Sequence, residues 1–173
     1  SVSGQIACAS CHDPQLGWGD GKRVAFGHDR KLGGRNAMTL WNVAYYKTLF
    51  WDGRAESLED QAQFPIKDHL EMNQSLGAME KKVKSFKGYE PMFEKAFGSK
   101  EVNINHILKA IACFERTITS GKSRFDLFIT GKSDALTDQE VLGLHVYRTK
   151  AGCLNCHNSP LFSDNQFHND GQT

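Results

Sequence analysis

The stretch Cys8-Ala9-Ser10-Cys11-His12 is matched in form by Cys153-Leu154-Asn155-Cys156-His157 near the other end of the chain. In each, two thiols can add across the two vinyl groups of a haem, because the Cys-x-x-Cys spacing lets one tight turn reach both edges of the ring. The adjoining histidine then lies beneath the iron as proximal ligand. Zinc is the alternative that paired cysteines admit, but a tetrahedral site made from both pairs would leave His12 and His157 without a role. The residues therefore read as two covalent c-type haems, attached through Cys8, Cys11, Cys153 and Cys156 and ligated by His12 and His157.

The rest of the composition agrees with a globular chain. Lys plus Arg number 21 against 20 Asp plus Glu, a formal charge of +1 over 173 residues, so no net field marks a nucleic-acid partner. No apolar run approaches the roughly 20 residues of a membrane-spanning helix, and Ser1 is followed by neither a basic nor an apolar leader region. Five cysteines form two haem pairs plus Cys113, which lies on the apolar face of an expected helix as a small hydrophobe. Attachment needs reduced thiols and is expected outside the bacterial cytoplasm, which makes the periplasm the expected compartment.

From Ser1 to about Tyr45 the chain is rich in Gly, Asp and Asn, as an ordered loop around a ligand would be. Helices come next. Ser57 caps one expected to run through Gln63, Ser75 caps another to about Lys87, and a third from near Pro91 ends at Gly98. The longest is expected from near Asn105, where Ile107, Leu108, Ile111 and Phe114 repeat at helical spacing. Gly131-Lys132-Ser133 interrupts the pattern. Thr137 and Glu140 then form a capping box for the helix that delivers the second motif. The expectation is a mainly α chain of two cytochrome c-like haem domains with extensive loops, residues 1–131 and 132–173, the second incomplete.

A proximal histidine leaves each iron's sixth position open, and that position separates carrier from catalyst. Candidates are His28, His69, His106, His145 and His168, with Met38, Met72, Met79 and Met92; spacing does not choose among them.

The runs Gly4-Gln5-Ile6-Ala7-Cys8-Ala9-Ser10-Cys11-His12-Asp13-Pro14, Leu49-Phe50-Trp51-Asp52-Gly53-Arg54-Ala55, Leu58-Glu59-Asp60-Gln61-Ala62, Glu71-Met72 and Gly152-Cys153-Leu154-Asn155-Cys156-His157 resemble the bacterial di-haem cytochrome c peroxidase family. The resemblance spans nearly the whole chain. It implies a peroxide-reducing haem at His12 and an electron-accepting haem at His157. His28 matches a distal histidine that occupies the sixth position at rest, and Glu71 matches the distal carboxylate that moves a proton between the peroxide oxygens. Gln61 matches an amide that orients peroxide, and Pro65 shapes the turn that brings these groups inward. Trp51 matches a tryptophan that relays electrons between the haems, although a packed core Trp would read the same way. Asn36 matches one ligand of a calcium ion. The family's methionine ligand to the second haem has no counterpart here, and His168 reads as a surface residue. Lys81, Lys82, Lys84 and Lys87 read as the wet face of a helix.

The function implied is reduction of hydrogen peroxide to water with electrons from a small periplasmic carrier, a cytochrome c or cupredoxin, in a protein that admits a homodimer. The alternatives are a non-catalytic di-haem electron-transfer cytochrome, which has no need of Glu71, and a related di-haem oxidase that matures a protein-derived cofactor.

Overall fold

The computed structural model describes residues 1–169 and 171. The chain divides into two compact units, Ser1–Ile118 and Thr119–Thr173. Six α-helices, α1 (Leu58–Lys67), α2 (Leu76–Ser85), α3 (Tyr89–Phe97), α4 (Ile104–Glu115), α5 (Arg124–Ile129) and α6 (Asp138–Arg148), are joined by loops and short 3₁₀ turns. Extended pairing among the described residues is limited to three isolated antiparallel bridges, so the mainly α reading holds.

In the first unit α1 and α4 carry the core. Ala62 and Ala112 are almost wholly buried, and side chains this small let two helices approach closely. On one side Ala112 joins Val43, Leu49, Ala55 and Leu58; on the other, Ala62, Ile66 and Leu108 pack with Met72 and Met79. Burial of each Leu or Ile of this kind contributes roughly 1.5–3 kcal/mol. Met72 and Met79 are thus spent on packing. A third cluster, Phe93, Val102 and Ile107, seats α3 against α4, and His106 stacks on Phe97 at 4.3 Å between ring centroids.

Helix ends obey local chemistry. Ser57, Ser75, Asn103, Ser123 and Thr137 each accept a backbone N–H in the first turn of the helix they precede, supplying a partner for donors that have none inside the helix. Helix α1 runs four residues past its expected end at Gln63, through Pro65. Proline tolerates this place because it costs only one hydrogen bond, to the carbonyl of Gln61, close to where the helix stops. The Pro65 carbonyl then accepts from Met72 N at 3.1 Å, folding Glu71-Met72 back along α1. Helix α2 stops at Ser85, short of Lys87, and α3 starts at Tyr89, ahead of Pro91.

The expected boundary at 131 differs from the division at 118/119. Helix α5, absent from the sequence reading, accounts for the difference. Arg124 at its start donates to the carbonyl of Ala135 at 2.9 Å and, through both terminal nitrogens, to Glu140 at 2.7 and 2.6 Å. The segment before Gly131 therefore packs with the Ala135 turn and with α6.

Candidate functional site

The two haem motifs adopt the same local structure. Cys8–Ser10 and Cys153–Asn155 are single 3₁₀ turns, and the amide of each adjoining histidine donates to the carbonyl of the first cysteine, His12 to Cys8 at 2.9 Å and His157 to Cys153 at 3.0 Å. The rings are set alike as well. His12 Nδ1 lies 3.0 Å from the Trp18 carbonyl and His157 Nδ1 lies 2.7 Å from the Phe162 carbonyl. A carbonyl can only accept, so Nδ1 carries the proton and Nε2 is left to coordinate, as metal-ligating histidines require.

The surroundings fit haem. Around the first motif, Phe26, Leu32 and Phe114 stand exposed, Trp18 packs edge-on against Phe114 at 6.0 Å, and the Cys11 thiol points at the Phe26 carbonyl at 3.9 Å. Apolar area left open like this calls for an apolar partner. In the second unit an open apolar recess of about 290 Å³ is lined by Phe125, Gly143, Leu144, Tyr147 and Phe162. Among the described residues no three His, Cys, Asp or Glu side chains converge on a metal site.

Three short loops, each pinched by one isolated bridge, carry the other residues of interest. Asp13↔Gly19 closes the loop that presents the Trp18 carbonyl, Phe26↔Leu32 closes the loop of His28, and Leu49↔Ala55 closes the Trp51 loop. His28 is buried. Its Nδ1 lies 3.4 Å from Ser3 Oγ and its Nε2 lies 3.2 Å from Asp29 Oδ2. Asp29 and Arg30 both hold φ near +55°, a left-handed conformation that costs an arginine roughly 1–2 kcal/mol. The loop around His28 is therefore strained.

Glu71 is brought beside this loop by main-chain contact. His28 N donates to the Glu71 carbonyl at 2.6 Å, and a Cβ added at Gly27 would meet the Leu70 carbonyl oxygen at 1.9 Å. Only glycine allows so close an approach. Glu71 is half-buried, and burial, helped by Asp68 and opposed by Arg54, raises its carboxyl above the ordinary glutamate range. Its charge also reaches the Cys11 thiol, which burial, Asp20 and Glu71 together push up. Gln61 is half-buried on α1, whose end is tied to the Glu71 segment through Pro65.

Trp51 is 55% exposed. Its Nε1 donates to the Asn36 carbonyl at 3.1 Å. Asp52 beside it receives Arg35 and Arg54, each at 2.8 Å, and these guanidinium groups hold its carboxyl down at about 2. Arg54 lies over the Phe50 ring at 3.5 Å. The Trp-Asp-Gly-Arg block thus ties its loop to residues 35–36 while leaving the indole face open. The Asn36 side-chain amide donates to the Lys22 carbonyl. Lys84 pairs with Glu80 one turn away on α2, Lys87, past the end of that helix, pairs with Glu90 of α3, and His168 pairs with Asp164 at 2.7 Å.

Sequence reasoning gave no role to Asp20, Glu115 or Tyr147. Asp20 and Glu115 are 7% and 8% exposed, and Asp20 Oδ2 and Glu115 Oε2 have no hydrogen-bond partner. A Glu inside the apolar periodicity of α4 was the available signal for the second.

Residues 1–134 match the family described as di-haem cytochrome c peroxidase. Over 172 residues the chain is 40% identical to the methylamine utilization protein MauG of Methylorubrum extorquens, covering 99% of this chain and 49% of that protein. It is 38% identical over 171 residues to the cytochrome c551 peroxidase of Nitrosomonas europaea, with coverage of 99% and 51%. Among solved structures, a MauG-like protein associated with microbial copper homeostasis superposes with a TM-score of 0.89 at 29% identity, covering 97% of this chain and 50% of that one. The chain spans about half the length of the curated relatives it matches. With the family come haem c cofactors, for which both motifs have the required ligand geometry, and the chain belongs to the di-haem cytochrome c peroxidase family.

Proposed function

We propose that this chain carries the peroxide-reducing site of a di-haem peroxidase in which hydrogen peroxide, two electrons and two protons yield two waters. The observation that carries this reading is Glu71: a half-buried carboxyl with a raised pKa, joined to the His28 loop and within electrostatic reach of Cys11. Haem held through Cys8, Cys11 and His12 supplies the redox centre. Glu71 takes a proton from one peroxide oxygen and returns it to the other, so that water departs in place of hydroxide. Gln61 orients the peroxide. Because both ring nitrogens of His28 have partners, His28 reaches a metal only by turning away from Asp29, a movement to which the strained backbone at Asp29 and Arg30 lends itself.

Trp51, with its indole exposed, would serve as the electron relay, and Cys153, Cys156 and His157 would hold the second haem, which would supply an electron store. A small periplasmic cytochrome c or cupredoxin supplies the electrons. Among the described residues no helix is long and apolar enough to cross a membrane, which suits this placement. Asn36 would supply one oxygen to a calcium ion, and the reading admits a homodimer.

The deciding experiment mixes the half-reduced, full-length holoprotein with hydrogen peroxide in a stopped-flow instrument. Rapid peroxide consumption with oxidation of the first haem is expected, and no consumption would overturn the reading. Similarity to the methylamine utilization protein at 40% identity supports a second reading, a di-haem oxidase acting on a protein substrate. Turnover sustained by a small electron carrier alone separates the peroxidase from it.

A further inference from the structure

The first haem motif is flanked by two buried acids that the proposed proton transfer does not use. Asp20 accepts the Lys22 amide on Oδ1 at 3.0 Å, while its Oδ2 is buried without a partner, and its charge acts on Cys11. Glu115, at the end of α4, has its Oε2 buried without a partner, and its charge acts on Cys8. One acid thus stands by each thioether position. No comparable orphaned carboxylate is found in the second unit among the described residues. A buried carboxylate with an unmet oxygen is costly, so two beside one cofactor site require an electrostatic account.

We propose that Asp20 and Glu115 are electrostatic tuning residues that favour the oxidised state of the first haem. Oxidation adds one positive charge at the iron, and a nearby anion in a poorly hydrated setting stabilises that charge. Screening is weak where water is excluded. The groups that face Glu115 are Glu59 on α1, Arg116 just past the end of α4 and Cys8. Arg116 is clamped on Glu59 at 2.8 and 3.0 Å, which leaves Glu115 without a dedicated counter-ion. Asp20 meets Lys22 through the Lys22 backbone amide, while the Lys22 ammonium lies 5.4 Å from the Phe26 ring centroid. Burial, opposed by Arg116 and reinforced by Glu59, brings Glu115 to about 7, and its share of the effect grows as pH rises through that value. The inference rests on haem attachment at Cys8 and Cys11 and is independent of peroxidase activity.

Potentiometric titration of the full-length holoprotein, with the two haems separated by their electron paramagnetic resonance signals, tests it. Asp20→Asn and Glu115→Gln should each shift the oxidised-to-reduced ratio of the first haem three- to ten-fold toward reduced, tenfold being about 59 mV for one electron, and leave the second haem in place. The Glu115→Gln shift should be full at about pH 8 and fade by about pH 6. Normal haem content with unchanged first-haem potentials in both variants, or equal shifts at both haems, would overturn the proposal. Should the variants fail to fold, protein with Glu115 and Asp20 in place still decides for Glu115. In a Glu71→Gln background the first-haem potential should fall as pH rises through about 7, and a flat profile would overturn that half. Absence of covalent haem at the first motif would instead sink the attachment reading.

Discussion

The amide of His28 donates to the carbonyl of Glu71 at 2.6 Å, so the two residues assigned to the distal side are joined through main chain. Gly27 makes that approach feasible, since a Cβ there would lie 1.9 Å from the Leu70 carbonyl oxygen and 2.5 Å from Glu71 Cα. Both obstacles are backbone, and no rotamer change relieves them. Gly27→Ala should destabilise the holoprotein by about 1–3 kcal/mol or more, the range for overpacking. Gly34→Ala, where an added Cβ meets nothing within 4 Å, should change stability by less than about 0.5 kcal/mol. Chemical denaturation of the two variants makes the comparison; equal stabilities would show that the approach is not close in solution.

Glu71→Gln keeps the shape of the side chain and removes its proton-accepting form. Haem attachment should be intact, while peroxide turnover falls about 10²–10⁴-fold, the range for general acid–base groups. The raised carboxyl of Glu71 also sets a direction with pH. Its ionised form gains population only above the ordinary glutamate range, so the acid limb of the turnover profile should lie above that range and vanish in the variant. Unchanged stopped-flow turnover would remove Glu71 from the mechanism.

Glu115 gives a pH effect on stability whose sign can be worked out. Its folded value of about 7 lies above the ordinary 4.5, so between these values the folded chain keeps a proton that the unfolded chain has released. Stability is therefore full below the lower value and declines as pH rises through the upper one, by on the order of 3 kcal/mol at about 1.4 kcal/mol per pH unit. Glu115→Gln should flatten this decline. Urea midpoints of holoprotein and variant at several pH values provide the check.

How much of this was legible in the sequence depends on the range of the interaction. The Cys-x-x-Cys-His motifs, the Ser57, Ser75 and Thr137 caps and the α4 stripe are local patterns, and each marks a real element. Helix α5 carries an equally local signal, the Ser123–Asp126 capping box, but its six residues are too few for periodicity to show. The burial of Glu115 and Asp20 was out of reach, because it depends on α1, α4 and the 13–19 loop coming together. Trp51 illustrates the reverse: a residue type that usually packs inside lies open here, since the Asp52 and Asn36 contacts fix its loop without burying the ring.

Trp51→Phe should separate structure from electron relay. The variant loses the Nε1 bond to the Asn36 carbonyl but keeps an aromatic ring. For an exposed bond the stability cost should stay within about 1 kcal/mol. If Trp51 is on the electron path, the first haem of the half-reduced protein should be re-reduced more slowly after peroxide, with both haem potentials unchanged. Re-reduction at the parent rate would place the path elsewhere.

Tyr147 offers a test confined to the second motif. Its phenol donates to the His157 carbonyl at 2.7 Å, and its ring packs edge-on against Phe162 at 6.1 Å. Phe162 in turn supplies the carbonyl that sets the His157 ring. Tyr147 thus holds both the backbone of the ligand and the residue that aims it. Tyr147→Phe removes the first contact and keeps the second, and should lower stability only slightly with little change in the second haem's spectrum. Tyr147→Ala removes both contacts and frees Phe162, so the His157 ring loses its fixed orientation; the electron paramagnetic resonance signal of the second haem should broaden while the first keeps its shape. Because His12 takes its orientation from Trp18, an equal change at both haems would mean that Tyr147 acts on the fold as a whole and not on its ligand.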